Sequence, residues 1–190
     1  MKSFKLIVFL GVDGSGKSTL INSILKKDRK KFNKIHFVPD YFRKNNKQNI
    51  NPHKQIKRGK IFSLLKILYW LVNYQIFKIL NYNSKKIYIF DRYIYDVVID
   101  PLRYRFSLPK IIITKIVKFA IKPDLIILLT GNPKKIYYRT KEIRLNDTIK
   151  LNNRYIKFVK KFDVKIILNC LNKIDSNRDK ILNHIKKLSL

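Results

Sequence analysis

The sequence predicts an α/β fold around a parallel sheet, and two observations carry that prediction. Short apolar runs recur at residues 5–10, 35–38, 87–90, 125–129 and 164–168, with helix-length stretches between them. That alternation is expected when strands buried on both faces are joined by helical crossovers. The second observation is where the glycines fall. The chain has 5 glycines, and Gly11, Gly14 and Gly16 stand together in GVDGSGKST, directly after LIVFL. A cluster at a strand end marks a loop whose backbone takes positive φ or closely approaches a bound group.

From Ser18 onward, Leu20, Ile21, Ile24 and Leu25 fall on one helical face. Residues 43–60, RKNNKQNINPHKQIKRGK, are polar and basic without a period and read as a loop or lid, with His53 a surface histidine. Residues 61–80, IFSLLKILYWLVNYQIFKIL, are apolar on nearly every side and long enough for a bilayer crossing. Lys66, Asn73, Gln75 and Lys78 interrupt them, so the reading is a largely buried helix. A helix leaning on a membrane surface or a greasy substrate stays open. Two more core stripes follow, at Leu151, Tyr155, Phe158, Val159 and Phe162, and at Ile181, Leu182, Ile185 and Leu188. There is no internal repeat.

With 190 residues the chain suits one domain with a core that needs no disulfide or structural metal. The single cysteine, Cys170, excludes an internal disulfide, and no histidine-cysteine cluster resembles a zinc site. A reducing cytoplasm is the setting this implies, and the run at 5–10 is too short for a signal-peptide core. The net charge of +31 comes mostly from lysines strewn along the chain, whereas a nucleic-acid reader gathers arginines and stacking aromatics on one stripe. The charge therefore reads as compositional bias that also helps attract anionic substrates, without a dedicated nucleic-acid partner.

Gly11-x-x-x-x-Gly16-Lys17-Ser18 satisfies the P-loop pattern between a strand and an amphipathic helix. Gly11, Asp13, Gly14, Ser15, Gly16, Lys17, Ser18 and Thr19 are the candidate ATP-binding residues. Their backbone N–H groups converge on phosphates, Lys17 reaches the β and γ oxygens, and the Ser18 hydroxyl is a Mg²⁺ ligand.

A second constellation, IYIFDRYIYDVVIDPLRYR, spans residues 87–105. Asp91 ends an apolar run, as does the strand-end acid that organises Mg²⁺ in P-loop enzymes, so Ser18 and Asp91 are the candidate metal ligands. Asp96 and Asp100 read either as site residues or as caps and surface pairs. A third constellation, TGNPKKIYYRTKEIR, follows the fourth run. Pro133 begins a helix, Glu142 is the only glutamate in the chain, and Arg139 and Arg144 are candidates for neutralising a transferring phosphoryl group. An ordinary basic helix face is the alternative for them.

Taken in order, VDGSGKST, the DRY strand end, and PDLIILL followed by Pro133 and Arg139 resemble thymidylate kinase and its relatives among the nucleoside monophosphate kinases. The resemblance implies a P-loop NTPase fold with a five-stranded parallel sheet flanked by helices, with lid-like segments near 43–60 and 133–147. It implies ATP and Mg²⁺ as cofactors and ATP-dependent phosphorylation of a monophosphate. By it, Asp13 stands beside the acceptor sugar or the metal and Arg92 holds the acceptor phosphate; Tyr93, Asp96 and Arg103, from the same 87–105 stretch, are the further candidate acceptor-binding residues, although IYDVVIDP after DRY departs from the family pattern. Relatives with a small residue at the position of Ser15 recruit lid arginines, a role that Arg139 and Arg144 fit.

The acceptor side departs from that pattern. FVPDYFRK stands where an arginine-glutamate-proline-glycine stretch is usual, with only Pro39 and Arg43 reminiscent of it, and LLKILYWLVNYQ lacks a clear thymine-gripping counterpart. The default expectation is dTMP kinase activity, with Lys17, Arg92, Arg139 and Arg144 in catalysis. The alternative is the same chemistry on a nucleoside, sugar or lipid-linked acceptor, including one of surface-polysaccharide metabolism. A third reading is a basic nucleic-acid or membrane binder with a relic P-loop. Peripheral membrane contact and a homodimer stay open.

Overall fold

The structure is a computed structural model that describes residues 4–39 and 59–188. Five strands form one sheet: β1 (Lys5–Leu10), β2 (Phe32–His36), β3 (Ile87–Asp91), β4 (Leu125–Thr130) and β5 (Lys165–Asn169). Every pairing is parallel and the order is β2-β3-β1-β4-β5, the expected α/β architecture with helices on both faces.

The second strand lies a few residues before its expected position at 35–38. β2 is an edge strand whose Asn33 and Lys34 interrupt the apolar pattern, and Phe37, at φ 58°, turns the chain out of the sheet. An edge strand needs little burial on its outer side, so its sequence carries a weak signal.

Period-two alternation along the central strands divides the core in two. Leu6, Val8 and Leu10 of β1 face one side with Tyr88, Phe90, Ile126 and Leu128. Ile7 and Phe9 face the other with Ile87, Ile89, Leu125, Ile127 and Leu129. Each fully buried aliphatic side chain contributes roughly 1.5–3 kcal/mol relative to exposure. Helices α1 (Lys17–Lys27) and α7 (Ile174–Leu188) cover the second face, laying down Leu20, Ile21, Ile24, Ile181 and Ile185. Helices α2 (Lys60–Leu80), α3 (Tyr95–Ile99), α4 (Lys110–Val117) and α6 (Leu145–Val159) cover the first. Between β4 and α6, the short α5 (Pro133–Thr140) starts on a proline with the Asn132 side chain accepting from the Lys134 N–H at 3.0 Å.

The expectation of a largely buried helix at 61–80 holds for one face of α2. Ile67, Leu71, Tyr74 and Phe77 are buried, while Ile61, Leu65, Leu68, Val72 and Ile79 are exposed. Its polar residues explain its amphipathic placement. Asn73 donates to the Tyr69 carbonyl, Gln75 reaches the Phe119 carbonyl, and the Lys66 ammonium lies 4.8 Å from the Trp70 ring centroid. Among the described residues no helix is long and apolar enough to cross a membrane. The expected lid at 43–60 falls mostly outside the described residues. The one at 133–147 is helical at both ends, with Lys141 at φ 50° in the bend.

Candidate active site

The carboxyl ends of β1, β3 and β4 bring the three sequence constellations to one edge of the sheet, where open parallel sheets bind ligands. The P-loop leaves β1 with Gly11, Gly14 and Gly16 at φ 139°, 80° and 85°. A Cβ on Gly11 would stand 2.4 Å from the Leu129 carbonyl oxygen, and one on Gly14 would stand 2.9 Å from that of Ile136. These glycines let the loop pass between β4 and α5. Ser15 is turned inward and buried, and Thr19 stands exposed on α1.

Lys17 is buried against its own loop. Its Nζ donates to the Gly11 carbonyl at 2.7 Å and to the Val12 carbonyl at 2.9 Å. Burial pushes its ammonium down from 10.5 to about 8, against the pull of Asp91 and Asp96. At the next position the Ser18 hydroxyl donates to Asp91 Oδ2 at 2.9 Å, and Lys34 Nζ lies 3.1 Å from the same oxygen. A hydroxyl and a carboxylate converging beside a phosphate loop are hard oxygen donors of the kind Mg²⁺ takes, so the residues fit that ion.

Arg92 follows β3 at φ 76°, a left-handed conformation that costs a non-glycine residue of order 1–3 kcal/mol. That turn carries its guanidinium back to the P-loop, where Nη2 donates to Asp13 Oδ1. Arg103 comes from the segment after α3 and donates through Nη1 to the other Asp13 oxygen, Oδ2, and at 3.3 Å to Glu142 Oε1. Asp13, Arg92, Arg103 and Glu142 thus join P-loop, strand end, connecting segment and lid.

Tyr93 and Asp96, expected to touch the acceptor, stand behind this row. Tyr93 is fully buried, its hydroxyl donating to the Ile121 carbonyl at 2.5 Å. Asp96 is fully buried as well. It accepts from the Tyr93 N–H at 2.9 Å and from the Tyr155 hydroxyl, and lies 3.9 Å from Arg92 Nη1. Asp100 is buried and accepts weakly from the Arg103 N–H at 3.4 Å. Of the two lid arginines, Arg139 reaches the P-loop, Nη1 donating to the Gly14 carbonyl at 3.3 Å, while Arg144 stands exposed before α6.

Sequence reasoning missed several neighbours. Tyr155 reads as one more apolar position of a core stripe, and only its contact with Asp96 separates it from them. Lys34 is hidden among 43 basic residues. An aromatic wall beside the arginines is assembled from distant segments: Phe37 stacks on Tyr104 at 4.6 Å, and Trp70 meets Phe37 edge-on at 4.8 Å. On the other side of the P-loop, a cavity of about 300 Å³ is lined by Ser15, Gly16, Thr19, Arg139, Cys170 and Asn177, among others.

Protein-family models give no match to this chain, and neither do curated proteins. Solved structures do. Deoxyadenosine kinase from M. mycoides with bound dATP is similar at 20% identity and TM-score 0.58, over 96% of this chain and 99% of that one. The same kinase with products dCMP and a flexible dCDP gives 19% identity and TM-score 0.61 over the same shares. Thymidylate kinase from Candida albicans gives 19% identity and TM-score 0.65, over 96% of this chain and 91% of that one. The chain therefore has the P-loop kinase fold that deoxyadenosine and thymidylate kinases share.

Proposed function

We propose that this chain is a P-loop kinase that transfers the γ-phosphoryl group of ATP to a hydroxyl of a small nucleoside-like acceptor. The observation that carries this reading over dTMP is the state of the acceptor-side arginines. Asp13 engages both Arg92 and Arg103, Glu142 engages Arg103, and Asp96 backs Arg92. Among the described residues, three carboxylates here meet two guanidiniums. A dianionic acceptor phosphate would have to separate these pairs and face their carboxylates, whereas a neutral hydroxyl compound finds both donors and acceptors in place. A monophosphate is what hydroxyl phosphorylation yields, and the similar M. mycoides kinase holds dCMP as a product.

In this reading the P-loop N–H groups and Lys17 hold the β and γ phosphates, and Arg139, poised over Gly14, neutralises charge on the transferring group with Arg144 behind it. Ser18 and Asp91 would hold Mg²⁺, which when bound neutralises the phosphate oxygens. Asp13, Arg92 and Arg103 orient the acceptor against the aromatic wall, while Tyr93 and Asp96 position Arg92. The acceptor oxygen bonds to the γ phosphorus as the bond to the bridging oxygen breaks and ADP leaves, and the hydroxyl gives its proton to the Asp13 carboxylate that orients it. The transition state is loose, so alignment and charge neutralisation are the chain's main contributions.

The second reading is dTMP as acceptor, favoured by Arg92 reaching back to the P-loop from the DRY turn. Following ADP release with separate pools of nucleosides, sugars and nucleoside monophosphates tests both. Turnover confined to nucleosides is the expected result. Turnover with dTMP equal to that with the best nucleoside would restore the second reading.

A further inference from the structure

Helix α2 carries an apolar stripe that the core leaves uncovered. Ile61, Leu65, Leu68, Val72 and Ile79 recur at the helical period along roughly 30 Å of its length. Ile61 and Ile79, near its two ends, are 74% and 72% exposed. Two hydrogen bonds set the α4 segment alongside. The Ser107 N–H donates to the Ser63 hydroxyl at 3.2 Å near the start of α2, and Gln75 Nε2 donates to the Phe119 carbonyl at 2.9 Å toward its end. Phe119, at 75% exposure, thereby extends the apolar face. A contiguous exposed patch of this kind marks an interaction surface, where singly scattered apolar residues would not.

The charges around the stripe point to what covers it. Residues 59–86 and 106–122 contain no Asp or Glu, although the chain has 12 of them. Their charges are all lysines, and Lys60 and Lys78 on α2 and Lys110, Lys115 and Lys118 in and just after α4 are exposed. A second copy of this chain would bring lysines against lysines and a net charge of +31 against +31, with no acid from these segments to receive them. An anionic leaflet supplies the missing negative charge and an apolar layer beneath it. We infer that α2 and the end of α4 form a docking surface for an anionic lipid bilayer: Ile61, Leu65, Leu68, Val72, Ile79 and Phe119 enter the boundary between headgroups and acyl chains, and the flanking lysines meet the lipid phosphates. The helix lies along the surface and does not cross it, because its opposite face, with Ile67, Leu71, Tyr74 and Phe77, is packed into the core.

Co-sedimentation of the full chain with vesicles tests this at physiological salt, using phosphatidylcholine alone and phosphatidylcholine with about one third phosphatidylglycerol. Wild type should bind the mixed vesicles at least about tenfold more tightly than the neutral ones. Leu65→Ser with Leu68→Ser and Val72→Ser keeps every charge and should weaken that binding about tenfold or more. Lys78→Gln with Lys115→Gln and Lys118→Gln keeps the apolar stripe and should weaken it about as much. These positions are all exposed, and thermal unfolding establishes that both variants are folded. Equal binding of wild type to the two vesicle types, or binding to neither, overturns the inference. Full binding by either folded variant overturns it too, because charge alone or apolar contact alone would then hold the chain. Sedimentation velocity without lipid covers the remaining occupant: a wild-type dimer that the serine variant reduces to a monomer assigns the stripe to a second copy and overturns the lipid reading.

Discussion

The Ser18 hydroxyl donates to Asp91 Oδ2 at 2.9 Å, joining the first turn of α1 to the carboxyl end of β3. Lys34 Nζ competes for that oxygen from β2 at 3.1 Å. If these two oxygens hold Mg²⁺, Ser18→Ala and Asp91→Asn should each weaken its apparent affinity by about 10- to 100-fold, read from the Mg²⁺ dependence of ADP release. Lys34→Ala should move it the other way, by a few-fold at most, because removing an exposed ammonium leaves the carboxylate more available. Unchanged Mg²⁺ curves in all three variants would remove the pair from the metal site.

Asp13 holds Arg92 and Arg103 at once. Asp13→Ala takes one carboxylate away from both guanidiniums and leaves Glu142 on Arg103 and Asp96 behind Arg92, so the acceptor side gains positive potential. The KM for a nucleoside should rise and that for its monophosphate should fall, each by about tenfold. Measuring kcat/KM for a nucleoside and monophosphate pair checks this, and equal losses on both would show that Asp13 supports the loop without choosing the acceptor.

Lys17 is the group whose titration should be visible near neutrality. Its ammonium sits at about 8 in the fold against 10.5 as the ordinary value, so between those limits the unfolded chain binds more protons. Stability should therefore rise with pH across that window, and the penalty for burying the charge is fully present below it. A bound triphosphate favours the ammonium, so ATP binding should take up a proton above pH 8 and weaken as pH rises. Calorimetry in buffers of different ionisation heat reads the proton uptake, which Lys17→Met should abolish. The same variant should lose at least about a hundredfold in kcat.

Behind the arginines, the Tyr155 hydroxyl donates to Asp96 where both side chains are fully buried. Burial holds that phenol well above its ordinary range, so it stays a donor across the accessible pH range. Tyr155→Phe removes the donor and leaves the carboxylate, which should cost about 1–3 kcal/mol in denaturant unfolding. A loss under half a kcal/mol would mean that water or Arg92 replaces the bond.

The P-loop glycines should differ in what they tolerate. A Cβ at Gly16 meets nothing within 4 Å, so Gly16→Ala should cost only the left-handed backbone penalty of about 1–2 kcal/mol. At Gly11 the added carbon meets the Leu129 backbone at 2.4 Å, and Gly11→Ala should lower the melting temperature far more, or prevent folding. Equal melting temperatures would contradict this packing.

The sequence by itself determined the strand runs, the helices between them, the phosphate loop and the three polar constellations. Each rests on neighbours in the chain: an apolar run, a 3.6-residue period, or a glycine spacing. It misplaced β2 because an edge strand buries little, and it made α2 more buried than it is, because an apolar face does not name what covers it. Only the tertiary structure decided which charges meet. Asp13, Arg92, Arg103 and Glu142 come from four separate segments, and their pairing sets the potential beside the P-loop. The same holds for Tyr155 on Asp96. Charge pairing and desolvation depend on distance in space, which the linear pattern does not carry.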